Sequence, residues 1–136
     1  MQSYLITTNK TNKAINKINT IIDTKTDLPK ITQLENNKNP DLLLVKPQNS
    51  IGIDQIRKVQ KFLSNKPYQY SHQLVIILES EAMTPQAQNA FLKTLEEPSV
   101  NSYIFLLSEH KNNFLPTITS RCQVISLQNT DPAELN

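Results

Sequence analysis

The stretch LPTITSRC, residues 115–122, sets Arg121 between Ser120 and Cys122. A guanidinium keeps its charge at any physiological pH and offers a rigid fork of donors, so it suits pairing with carboxylate or phosphoryl oxygens. The ordinary fates of a surface arginine are an ion pair with a glutamate or a cap on the carboxyl end of a helix. Ser120 and Cys122 invite a nucleophile reading, with His72 and His110 as possible bases. Neither histidine falls in a triad motif, and a lone cysteine opening a strand packs as a small hydrophobe, so nucleophilic catalysis is not expected. With one cysteine in the chain, an internal disulfide and a multi-cysteine zinc site are both excluded.

These residues must be positioned by the elements around them. Tyr4–Thr7 predicts a strand, and Ala14, Ile15, Ile18, Ile21 and Ile22 recur at helical spacing. Residues 23–40, rich in Asp, Thr, Asn, Lys and Pro, predict a loop with a short strand near Ile31. Leu42–Val45 has the apolarity of a strand buried on both faces. Ile53, Ile56, Val59 and Leu63 predict an amphipathic helix over 54–65, with Asp54 as its N-cap, closed before Pro67. Leu74–Leu78 is the next strand. Thr84 and Pro85 then start a helix whose apolar stripe, Ala87, Phe91 and Leu95, runs until Pro98 stops it. Tyr103–Leu107 predicts a strand, Phe114–Thr119 a short turn or helix, and Gln123–Leu127 a last strand. Alternating buried strands and helices imply an α/β fold: a three-layer α/β/α sandwich on a mostly parallel five-stranded sheet.

At 136 residues and 38% hydrophobic content, the chain suffices for one core, and 1–136 is expected to be a single domain. A net charge of +2, from 14 basic and 12 acidic residues, provides no strong field for gripping nucleic acid. Any contact with DNA is therefore expected to be indirect and shared with partners. Almost all the basic residues are lysines, which leaves Arg57 and Arg121 as the two arginines. No apolar run approaches the roughly 18 residues of a membrane span, and the start lacks a signal-peptide pattern, so a cytoplasmic protein without membrane contact is expected.

Three segments, IDQIRKVQKFLSNKPY, QLVIILESEAMTPQAQNAFLKTLEEPS and LPTITSRCQVI, resemble the AAA+ domain of bacterial clamp-loader subunits, most closely those of the DNA polymerase III delta-prime type. The joint occurrence of NAFLKTLEEP and SRC is far more specific than either alone. The resemblance covers residues 40–127 well and the first 25 in outline. It implies a P-loop NTPase (RecA/Rossmann-like) core that ends where the family's helical lid begins, with neither lid nor collar domain. It also implies that Arg121, flanked by Ser120 and Cys122, is an arginine finger supplied in trans, with gamma/tau-like ATPase and delta-like subunits as partners in DNA replication.

The chain departs from active family members at the nucleotide site. A phosphate loop needs glycines so that backbone N–H groups can turn inward around an anion. The corresponding turn, TTNKTNKA, has none, and Gly52 lies elsewhere. Lys10 and Lys13 are expected to be solvated lysines. Leu78 stands where a metal-holding aspartate is needed, and Glu79 and Glu81 are given ordinary roles. No cofactor, no metal and no ATP hydrolysis by this chain are expected. Ser108–His110 falls where the family places a nucleotide-sensing polar residue, and SEHKNN is expected to be a solvated loop. Glu96 and Glu97 close their helix against its macrodipole, which suggests that they face another subunit or a lid. The alternatives are an interaction module outside the loader and, less in keeping with these residues, an active ATPase with an atypical phosphate loop.

Overall fold

The computed structural model describes residues 2–110 and 114–127. In chain order the elements are β1 (Ser3–Thr7), α1 (Thr11–Lys25), β2 (Leu42–Val45), α2 (Ile53–Leu63) and β3 (Gln73–Ile77). After a 3-10 turn at Ser80–Ala82 come α3 (Pro85–Glu96), β4 (Ser102–Ser108), α4 (Pro116–Thr119) and β5 (Gln123–Ser126). The strands form one sheet in the order β2-β3-β4-β1-β5, and every pairing is parallel. Parallel neighbours need crossover connections, and these put helices on both faces.

Side-chain alternation along the strands divides the core in two. Leu5, Val75, Ile77, Ile104 and Leu106 pack with Ile56 and Val59 of α2, Phe91 of α3 and Ile118 of α4. Tyr4, Ile6, Leu74, Ile76 and Phe105 pack on the other side with Ile18 and Ile22 of α1. The three central strands are buried along their whole length, which is why each carries an apolar run, Tyr4–Ile6, Leu74–Ile77 and Tyr103–Leu107, with polar residues only at its ends. β2, expected to be buried throughout, is a sheet edge. Leu42, Leu43 and Leu44 are half-buried there, because no strand lies beyond them among the described residues.

Helix α3 forms as its sequence dictates. Thr84 Oγ1 accepts the Ala87 N–H at 3.1 Å, Pro85 occupies the first turn, and Ala87, Phe91 and Leu95 are buried. Thr84→Ala should therefore cost about 1 kcal/mol of stability, measured as a lower urea midpoint at unchanged slope. A shift worth less than a few tenths of a kcal/mol would show that the cap is dispensable.

Two local expectations are corrected. The N-cap of α2 is Gly52, not Asp54. Glycine has no side chain to cap with, so Gln55 reaches back instead and its Oε1 accepts the Gly52 N–H at 3.2 Å. Asp54 lies inside the helix, exposed, 3.6 Å from Arg57. There is also no strand at Ile31. The Asn19 side chain accepts the Ile31 N–H at 2.8 Å and donates to the Ile31 carbonyl at 3.0 Å, so it satisfies both backbone groups as a ladder partner would. Ile31 is thereby held in the core beside α1.

Just before β2, Asp41 is buried, and its carboxylate accepts the backbone N–H groups of Tyr68, Gln69 and Tyr70 at 2.6, 2.8 and 2.7 Å. Its own carbonyl accepts the Leu74 N–H at 2.7 Å. One side chain thus ties the loop before β3 to the start of β2.

Candidate functional site

A cleft of about 260 Å³ opens at the carboxyl ends of β1, β3 and β4, where a parallel α/β sheet places its ligands. Its first wall is the turn from β1 to α1, which is just residues 8–10. Thr8 donates its N–H to the Ser108 carbonyl at 2.9 Å, and its Oγ1 accepts the Lys10 N–H at 3.1 Å. The turn therefore closes on its own side chain, whereas a phosphate loop spans about eight residues. Lys10 is exposed and Lys13 half-buried, and both take part in interactions.

The second wall follows β3. Glu79 has φ 47° and ψ 49°, in the left-handed region that residues other than glycine seldom occupy. The kink is pinned by the buried Ser80, whose Oγ donates to the Leu107 carbonyl at 2.8 Å, and by the Ala82 N–H on the Glu79 carbonyl at 2.9 Å. Glu81 Oε2 is buried without a hydrogen-bond partner among the described residues. Glu79 and Glu81 put carboxylates on the lining of the cleft, where a polyphosphate would need cations. Among the described residues, no group of three or more His, Cys, Asp or Glu converges to hold a metal.

Ser108 corrects the expected solvated loop. It is the last residue of β4, buried, and pairs in register with Thr7. Its hydroxyl donates to the His110 carbonyl at 2.9 Å and accepts the His110 N–H at 3.2 Å. The rest of SEHKNN, 111–113, lies outside the described residues, as does the chain end DPAELN.

Arg121 stands between α4 and β5. Its Nη2 lies 2.8 Å from Glu96 Oε1, and its Nη1 donates to the Thr117 carbonyl at 2.9 Å and more distantly to Ser120 Oγ at 3.4 Å. Both ordinary fates of a surface arginine are thus realised: an ion pair and a helix carboxyl cap. The pair remains at the surface, with the Arg121 and Glu96 side chains 33% and 48% exposed. Glu96, expected to face a subunit or a lid, has its cation within the chain. Ser120 is the exposed C-cap of α4. Cys122 is buried in the core beside it, and burial pushes its thiol up to about 12, so thiolate chemistry is closed to it near neutral pH.

The sheet separates the cleft from Arg121. β5 begins at Gln123, which pairs with Tyr4 near the amino end of β1, while the cleft lies past the carboxyl end of that strand. Glu96 closes α3 just ahead of the start of β4, at the same amino end. On the order of 10 Å of strand rise separates the start of β5, next to Arg121, from the carboxyl end of β1, where the cleft opens.

His72 acquires a neighbour that no motif announced. Ser71 Oγ lies 2.6 Å from its Nδ1, but Asp27 Oδ1 accepts the Ser71 backbone N–H, not an imidazole proton. The carboxylate does not orient the imidazole, so no relay to a nucleophile forms.

A family model described as DNA polymerase III, delta subunit, matches residues 2–131. The chain belongs to this family. Within it, the DNA polymerase III subunit delta' of Haemophilus influenzae is 36% identical over 96 residues, covering 69% of this chain and 29% of that protein. The delta' subunit of Bacillus subtilis is 37% identical over 101 residues, 74% of this chain and 31% of that one. The chain spans under a third of the length of these delta' relatives. The crystal structure of a DNA polymerase III gamma subunit-related protein from Thermotoga maritima superposes with a TM-score of 0.76 at 32% identity, over 95% of this chain and 42% of that one. The likeness to delta' clamp-loader subunits stands on sequence, and the superposition on the gamma subunit-related protein shows the same α/β core.

Proposed function

We propose that this chain is the AAA+ core of a delta-prime-type clamp-loader subunit that acts in DNA replication without hydrolysing ATP itself. In this reading residues 1–136 are one core domain. Arg121, framed by Ser120 and Cys122, is supplied in trans to a neighbouring gamma/tau-like ATPase subunit while the sliding clamp is loaded. A delta-like subunit is the other partner, DNA is met through the assembly, and the work is cytoplasmic. Among the described residues, no helix is long and apolar enough to cross a membrane.

The observation that carries the reading is the placement of Arg121. A guanidinium near the amino end of the sheet, partly exposed and tied to Glu96 and Thr117, lies away from the cleft at the carboxyl end, and this supports a role toward a triphosphate on an adjoining subunit. The cleft itself supports a non-catalytic role. Its entry turn is three residues long and has no glycine, Leu78 offers no oxygen to a magnesium ion, and its lining carries carboxylates.

The test has two parts. The protein should co-purify with gamma/tau-like and delta-like subunits as one assembly, and titration of the isolated protein with Mg·ATP up to about 1 mM, a Kd worth only about 4 kcal/mol, should release no heat of binding. Failure to assemble would leave an interaction module outside the loader, and saturable heat would point to an ATPase with an atypical phosphate loop.

A further inference from the structure

We infer that Glu96 is a positioning residue for Arg121, holding the guanidinium in the orientation from which it engages a neighbouring subunit's phosphoryl group. This rests on the trans role proposed above and adds a second residue to it. An arginine side chain has many rotamers, and ordering it at the moment of engagement costs conformational entropy. Here the ordering is done beforehand by two fixed points. Glu96 Oε1, on the last residue of α3, holds Nη2, and the Thr117 carbonyl of α4 holds Nη1. A guanidinium has five N–H donors. Even counting the longer contact to Ser120, these three bonds leave two donors for phosphoryl oxygens.

The location of Glu96 argues for such a role. A carboxylate in the last turn of a helix opposes the macrodipole, so helix stability alone does not select it. An ion pair this exposed contributes little to folding, so stability does not account for it. What the pair supplies is direction: it ties the tip of a flexible side chain to the end of a helix that Ala87, Phe91 and Leu95 anchor in the core.

The test is ATP turnover by the neighbouring subunit in the reconstituted loader, comparing wild type, Glu96→Ala, Glu96→Gln, Arg121→Ala and the Glu96→Ala/Arg121→Ala double variant. Glu96→Ala should lower kcat about two- to tenfold, the cost of ordering one long side chain, with KM unchanged. Glu96→Gln, whose amide oxygen still accepts from Nη2, should recover most of that loss. The double variant should be no slower than Arg121→Ala, because Glu96 has nothing left to position. Loader assembly and thermal unfolding of the subunit should be the same in Glu96→Ala as in wild type. The inference is overturned if Glu96→Ala leaves turnover unchanged, if it speeds turnover as release of an inhibitory latch would, or if it costs the same factor with Arg121 already absent. A wild-type rate in Arg121→Ala would instead remove the trans role, and this inference with it.

Discussion

Arg121→Ala is expected to lower ATP turnover by the neighbouring subunit about 10³-fold or more while leaving the assembled loader intact. The magnitude follows from what such a group does: it offsets charge on the phosphoryl oxygens in a site from which water is largely excluded, where electrostatic stabilisation is strongest. The local structural cost should be small, since the lost contacts are a half-exposed ion pair and a cap on a four-residue helix. Stability should change by no more than about 1 kcal/mol, and Cys122 and Ile118 remain buried beneath the site to hold the α4–β5 connection. Arg121→Lys should stay strongly impaired, because an ammonium keeps the charge but not the planar fork that reaches Glu96 and Thr117 together. Steady-state turnover of the reconstituted loader, read alongside its sedimentation, checks both halves. A drop smaller than about tenfold, or ~1.4 kcal/mol in the barrier, would be too little for a finger.

The elements around this site differ in how far the sequence alone reveals them, and the difference is physical. Helix α3 is legible because its start and stop are written in adjacent residues, Thr84 and Pro85 at one end and Pro98 after the other. Strands β1, β3 and β4 are legible because burial on both faces leaves an apolar run. The strand order is another matter, since β2 and the central strands carry similar apolar residues although one is an edge. The misses share a cause. Asn19 completing Ile31, Gln55 reaching back to Gly52 and Asp41 gathering three N–H groups are side-chain to backbone contacts that impose no periodicity on the chain. The Glu96–Arg121 pair left a trace, because an acid at a helix carboxyl end calls for a cation, but which cation answers it is decided by the fold.

Asp41 should therefore prove to be a principal determinant of stability in spite of its unremarkable sequence context. Asp41→Ala is expected to cost roughly 2–3 kcal/mol near neutral pH, because charge-assisted bonds to the Tyr68, Gln69 and Tyr70 N–H groups are lost and these donors are left to find water in a partly buried turn. The pH dependence has a definite sign. Burial pushes the Asp41 carboxyl up, but the three backbone donors together outweigh it, and the group titrates below the ordinary carboxylate value. A carboxylate with a depressed folded-state pKa contributes stability that is fully present above its unfolded pKa of about 3.9 and is lost as pH falls through the folded value. The stability gap between wild type and Asp41→Ala should accordingly be constant from about pH 7 to about pH 5 and narrow below about pH 4, as the wild-type carboxylate takes up its proton. Asp41→Asn, which keeps an oxygen acceptor but no charge, should fall between the two at neutral pH and approach wild type in acid. Urea unfolding across this range decides the matter: a gap of the same size in acid as at neutrality would mean that the shape of the side chain, and not its charge, holds the turn.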